Sequence, residues 1–140
     1  MRIYLIAIDT LRADHLHCYG YPRMTSPNLD ELAADGTVFE YCITPASHTL
    51  PTFTSVMTGQ HPFEHNVVAT LHCFPNNTVS LLPDETPVLA EILAQTGFDT
   101  FAVDNLFNFA FHPKWFVRGY HEYINPGGFA GQMIAEVLNA

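Results

Sequence analysis

The chain has 140 residues, 48% of them hydrophobic and only 14% charged, with a formal net charge of −9. A domain of that length hides roughly 68–70% of the surface its unfolded chain exposes, enough for a real core. The five basic residues, Arg2, Arg12, Arg23, Lys114 and Arg118, are scattered; the lack of a basic stripe makes nucleic acid and anionic membrane poor partners, and neither nucleic acid nor a membrane span is expected, although a single arginine can still clamp one anion.

From the N-terminus, Ile3 to Ile8 is an unbroken apolar run. Residues 2–9 therefore read as a strand buried on both faces. It delivers Asp9 to its carboxyl end, where open α/β sheets bind ligands. A metal ligand is one reading of Asp9; a loop-entry or capping aspartate is the plainer one. Residues 10–26 have little periodicity and contain Tyr19-Gly20-Tyr21-Pro22, so they form a loop. Ser26 and Pro27 make an N-cap and first-turn pair, Leu29, Leu32 and Ala33 share a helical face, and Gly36 stops the helix. Thr37 to Ile43, rich in β-branched and aromatic residues, reads as the next strand.

The stretch Ser47 to Gly59 is polar at first and then helical. Thr49 falls at the N-cap, Pro51 in the first turn where its missing N–H is harmless, and Gly59 at the stop. A hydroxyl is thus held over a helix N-terminus, an environment that suits a tetrahedral anion such as sulfate or phosphate. Thr49 is either a routine cap or a nucleophile. Residues 60–83 are irregular, punctuated by Pro62, Pro75 and Pro83, and a connection that long usually serves a function. Thr86-Pro87 opens another helix, with Val88, Leu89, Ile92 and Leu93 on one stripe and Gly97 closing it. Phe98 to Val103 is a strand ending at Asp104-Asn105. Residues 106–128 are aromatic and loop-like, with Trp115 and Phe116 serving core or lid packing. Phe129, Met133, Ile134, Val137 and Leu138 mark a last amphipathic helix.

Strands alternating with helices imply a parallel sheet covered on both faces. Only about three strands are legible, against roughly 5–6 in an average sheet, which suggests a fragment. Cys18, Cys42 and Cys73 have neither zinc spacing nor an evident disulfide pattern and read as free buried thiols in a reducing compartment. Arg2 is followed by only six apolar residues before Asp9, so no leader peptide is expected; no apolar run approaches the ~20 residues of a membrane span, and a cytoplasmic location is expected.

Taken together, Ile8-Asp9-Thr10-Leu11-Arg12-Ala13-Asp14-His15-Leu16, Ser26-Pro27-Asn28-Leu29-Asp30-Glu31-Leu32-Ala33, Thr49-Leu50-Pro51 through Met57-Thr58-Gly59, and His61-Pro62 resemble the sulfatase family of the alkaline phosphatase superfamily. Gly97-Phe98-Asp99-Thr100 and Arg118-Gly119-Tyr120 continue the likeness. The resemblance implies a three-layer α/β/α fold with a mostly parallel sheet, of which residues 1–140 form the N-terminal portion, truncated at the C-terminus. It implies a metal-dependent hydrolase of small-molecule or glycan sulfate or phosphate esters. The divalent cation would be calcium by resemblance, with magnesium, manganese or zinc as alternatives.

By the same resemblance Asp9 matches the first of a pair of metal-binding aspartates, the second being replaced by Thr10. Thr49 matches the cysteine or serine that the family oxidises to formylglycine, and with Asp9 and Thr10 it is also a candidate metal ligand. Threonine cannot yield that aldehyde, so direct attack by Thr49 is the better mechanism; threonine is the nucleophile in phosphodiesterase-like relatives. The arginine of the family's pattern is replaced by Phe53. His65 matches a histidine common after the Thr-Gly motif and is a candidate for leaving-group protonation, or else a hydrogen-bonded loop histidine. His48, Arg12 and Asn105 are candidates for contacting the anion, Asn105 falling near a substrate lysine of the family. The alternative function is a non-catalytic or incomplete member that binds an anion or a partner. The aromatic segment around Trp115 is the one feature that favours an interaction module. Alone, the chain is expected to bind metal weakly, to turn over neither ester, and to self-associate through an unpaired edge strand.

Overall fold

The computed structural model describes residues 1–68, 82–104 and 114–124. Asn105, Cys73 and the expected helix over 129–138 lie outside the described residues. The chain divides into two compact units, Met1–Ile43 and Thr44–Ala140.

In the first unit the one regular helix is α1, Pro27–Asp35, with Ser26 at its N-cap and Gly36 at its C-cap. The proline that opens it and the glycine that ends it act locally, and the expected bounds hold. Ser26 also ties down the preceding loop: its hydroxyl accepts the His17 N–H at 3.0 Å and donates to Asp30 at 3.0 Å. That loop contains two 3-10 turns, Ala13–His15 and His17–Tyr19, the second ended by Gly20 in the left-handed region. The two expected strands are not formed. Residues 2–8 and 37–43 carry no strand pairing, and Ile3, Leu5, Ile6 and Ile8 are exposed, Ile6 by 80%. An apolar run becomes a strand only when a neighbour takes up its N–H and C=O groups, and none among the described residues does. Cys18 and Cys42 are free thiols as expected, but Cys18 is only half-buried and Cys42 is exposed.

The second unit has a core of Val67, Leu82, Val88, Trp115 and Phe116, against which Leu50, Phe53 and Met57 pack. Those three residues belong to helix α2, Thr49–Thr58. A short helix α3, Pro62–His65, follows. Helix α4, Leu89–Gln95, starts later than Thr86-Pro87 suggested because Val88 is its N-cap. The Val88 N–H bonds Glu91 Oε2 at 3.1 Å. Gly97 ends α4 in the left-handed region, with Gly97 N–H on the Ala94 carbonyl and Phe98 N–H on the Leu93 carbonyl, the glycine-ended cap that helices favour. Strand β1, Phe101–Val103, pairs in parallel with β2, Glu122–Ile124, in the register Phe101–Glu122, Ala102–Tyr123, Val103–Ile124. β2 lies inside the stretch read as loop. Trp115 and Phe116, on a 3-10 turn, are core rather than lid. Thus helices and a small parallel sheet are present; of the sheet within three layers, the described residues contain this one pair. Among them no helix is long and apolar enough to cross a membrane.

Arg118 clasps this unit. Its Nε and Nη2 donate to Glu91 at 2.9 and 2.8 Å, and Nη2 also reaches the Asp84 and Thr86 carbonyls at 2.9 and 2.8 Å. The hydrogen bonds from Arg118 hold the Glu91 carboxyl below its ordinary value. Because the pair is half-buried, Arg118→Ala should cost about 2–3 kcal/mol in urea unfolding by taking the guanidinium from Glu91, which keeps the Val88 N–H, and from the loop carbonyls. Arg118→Lys should recover less than half of that, since lysine lacks the planar fork.

Candidate active site

The candidate residues fall in both units, and each set stands on its own. In the first, Asp9 is exposed and its Oδ1 accepts the Thr10 N–H at 3.0 Å. Thr10 has φ 60°, a left-handed conformation that is strained for a β-branched residue and costs on the order of 1–3 kcal/mol. Strain of this kind clusters at functional sites, and here it lies directly beside the candidate carboxylate. Arg12 does not turn to Asp9. Its fork meets Asp14 instead, Nε donating to Oδ1 at 2.9 Å and Nη2 to Oδ2. The hydrogen bond from Arg12 holds Asp14 below the usual carboxylate value. Both side chains are exposed, so the pair is weakly held and the guanidinium stays open to an anion.

In the second unit His48, not Thr49, is the N-cap of α2. The reason is local: the His48 carbonyl already accepts the first helical bond, from Thr52 N–H at 3.2 Å. Thr49 is therefore the first helical residue and half-buried. N–H groups of a first turn have no helical partner, so they and the helix dipole still favour an anion at this end. Pro51, also in the first turn, is buried. His48 is exposed, with the Ser47 hydroxyl 3.2 Å from its Nδ1. Phe53 is turned to packing: it meets Phe116 edge-on with ring centroids 6.5 Å apart.

His65 is not at this helix end. It is 2% exposed, with Nε2 2.9 Å from Ser55 Oγ and Nδ1 accepting the Val67 N–H at 3.1 Å. A leaving-group acid must present a ring nitrogen to substrate, and both nitrogens of His65 are engaged inside the unit. Sequence matching could find the histidine but not its surroundings, which depend on Ser55 of another helix. Trp115 is the other residue whose part was hidden: its Nε1 donates to Thr54 Oγ1 at 3.1 Å, on the buried side of α2.

Calcium and magnesium take about six or more oxygen ligands. Asp9 is a donor of the right kind. Among the described residues no group of three or more His, Cys, Asp or Glu is arranged to hold a metal ion. The donor chemistry fits such a cation, but among the described residues the ligand set is incomplete.

The Sulfatase family model matches residues 2–130. Arylsulfatase A of Homo sapiens is 37% identical over 98 residues, covering 70% of this chain and 19% of that protein. N-acetylgalactosamine-6-sulfatase of Canis lupus familiaris is 30% identical over 101 residues, 69% of this chain and 19% of its own length. N-acetylgalactosamine-6-O-sulfatase of Bacteroides thetaiotaomicron is 27% identical over 100 residues, 70% and 18% respectively. The chain thus spans about a fifth of the length of the curated relatives it matches. No solved structure matches it significantly. The chain belongs to the sulfatase family, whose fold is α/β of the alkaline phosphatase kind.

Proposed function

We propose that this chain carries the nucleophile and one metal-binding carboxylate of a hydrolase acting on sulfate or phosphate esters. The observation that supports it most is Thr49 in the first turn of α2, where a hydroxyl and the positive end of a helix dipole coincide. The Thr49 oxygen attacks sulfur or phosphorus, and its proton passes to solvent. The bond from that atom to the substrate's alcohol oxygen breaks, and the alcohol leaves with the electron pair and takes up a proton. Water then releases sulfate or phosphate and restores Thr49. By family likeness His48, beside Thr49, is a candidate to contact the anion, and so is Arg12 of the first unit, whose guanidinium is exposed; Asn105, a candidate by the same likeness, lies outside the described residues. Asp9, with Thr10, would hold a divalent cation, calcium by family likeness, which when bound neutralises the charge of the ester. The relatives' names, arylsulfatase and N-acetylgalactosamine-6-sulfatase, put sulfate esters first.

Full-length protein assayed with an aryl sulfate and an aryl phosphate should hydrolyse the sulfate and lose that activity to a chelator. Turnover of neither ester in the presence of calcium would sink the proposal. Asp9→Asn should weaken calcium binding at least about tenfold in calorimetric titration, with the unfolding midpoint little changed. Equal affinity in both proteins would remove Asp9 from the site. Phe53 supports a second reading, a non-catalytic member that binds an anion or partner: its ring packs on Phe116, where the family likeness leads one to expect an arginine. Sulfate binding at α2 without turnover would favour it.

A further inference from the structure

Helix α2 is held in place by its own hydroxyl side chains. Thr52 Oγ1 donates to the Ala46 carbonyl at 2.9 Å. Thr54, fully buried, donates to the Leu50 carbonyl at 2.8 Å and accepts Trp115 Nε1. Ser55 meets His65 at 2.9 Å, and of these tethers this one alone ends on an ionisable group. The Val67 N–H can bond Nδ1 only if that nitrogen keeps its lone pair. Nε2 then carries the ring proton and donates to Ser55 Oγ. A second proton would set an N–H on Nδ1 against the Val67 N–H, two donors face to face.

We infer that His65 is the positioning residue of the Thr49 helix: a neutral, Nε2-protonated imidazole that ties Ser55 of α2 to the Val67 backbone and so sets where Thr49 stands. The inference rests on the reading of Thr49 as the nucleophile. Ser55 and Thr49 share one rigid helix, about 9 Å apart along its axis, so a shift at one end is carried to the other. A misplacement of about 1 Å can cost roughly 10²-fold in rate.

Burial pushes the imidazole below its ordinary value, while its backbone hydrogen bond and the Glu64 carboxylate pull the other way. Glu64 is on α3; α2, with the sequence TLPTFTSVMT, offers no ionisable side chain. The depressed value means the neutral form is favoured by folding. Its contribution to stability is complete above the ordinary imidazole value, about 6.5, and is lost as pH falls through the lowered one.

The test uses His65→Asn, Ser55→Ala and the double variant in the full-length protein. Asparagine can still accept the Val67 N–H, so only the link to Ser55 is cut. Each single change should lower kcat about 10–100-fold with KM nearly unchanged, and the double variant should be no worse than either. Independent, multiplying effects would overturn the inference, as would loss of an ionisation from the kcat profile in His65→Asn but not in Ser55→Ala, the mark of a proton donor. Two readouts need no turnover and separate this inference from the assignment of Thr49. Ring nitrogen NMR should show His65 neutral with the proton on Nε2 down to below the ordinary imidazole range. Hydrogen exchange should accelerate in α2 to the same extent in both single variants, with α4 unchanged. A ring protonated on Nδ1, ordinary titration, or unchanged exchange in α2 would each overturn it.

Discussion

Gly119→Ala should lower stability by about 2–5 kcal/mol and shift the urea midpoint accordingly. Gly119 has φ 78°, a left-handed conformation that costs an L-residue roughly 1–2 kcal/mol. An added Cβ would lie 2.2 Å from the Glu91 nitrogen and 2.6 Å from the Ala90 carbonyl carbon. Those are backbone atoms of α4 and cannot rotate aside, so overpacking adds about 1–3 kcal/mol. The displaced turn also carries the Glu91 carboxylate that Arg118 grips. Gly97→Ala is the control. It has φ 88° but nothing within 4 Å of the added carbon, so it should show only the conformational part, about 1–2 kcal/mol. Equal midpoints for the two variants would refute the close approach of Gly119 to α4.

Elements that are punctuated locally were legible. Ser26-Pro27 with Gly36, and Gly59 and Gly97 in the left-handed region, mark helix ends through backbone constraints that need no distant partner. What depends on a partner was not. The Ile3–Ile8 run states that both faces want cover, but not what covers them, and these residues are exposed. Glu122–Ile124 is a strand because it pairs with Phe101–Val103; its own three residues carry too short a period to be read. The Arg118–Gly119 pair was visible as a family likeness, yet its physical reason, a clasp on Glu91 and a backbone approach to α4, spans 27 residues of sequence. The candidate site divides in the same way. The helix end at Thr49 could be read to within one residue, because Pro51 and Gly59 bracket it. The burial of His65 could not, since it follows from Ser55 and Val67 closing on the ring.

Thr49→Ala should abolish ester hydrolysis by the full-length protein, with a fall of at least about 10³-fold in kcat, whereas Thr49→Ser should keep part of it. Alanine keeps the helix and its first-turn N–H groups, so anion affinity should change little while turnover disappears; substrate binding and attack are thereby separated. Serine keeps the oxygen but loses the methyl group that limits its rotamers, so the hydroxyl is aimed less well. Folding should be almost unaffected in either case. Thr49 is half-buried and His48 occupies the N-cap, which makes no side-chain capping bond. Mass spectrometry of the peptide spanning Thr49 should find the residue unmodified in the resting protein, because threonine oxidised at its β-carbon gives a ketone and not the aldehyde of formylglycine. During turnover a slow ester should leave a sulfo or phospho group on that same peptide. Full activity in the alanine variant would remove Thr49 from the chemistry. A modified Thr49 at rest would replace direct attack by a different nucleophile.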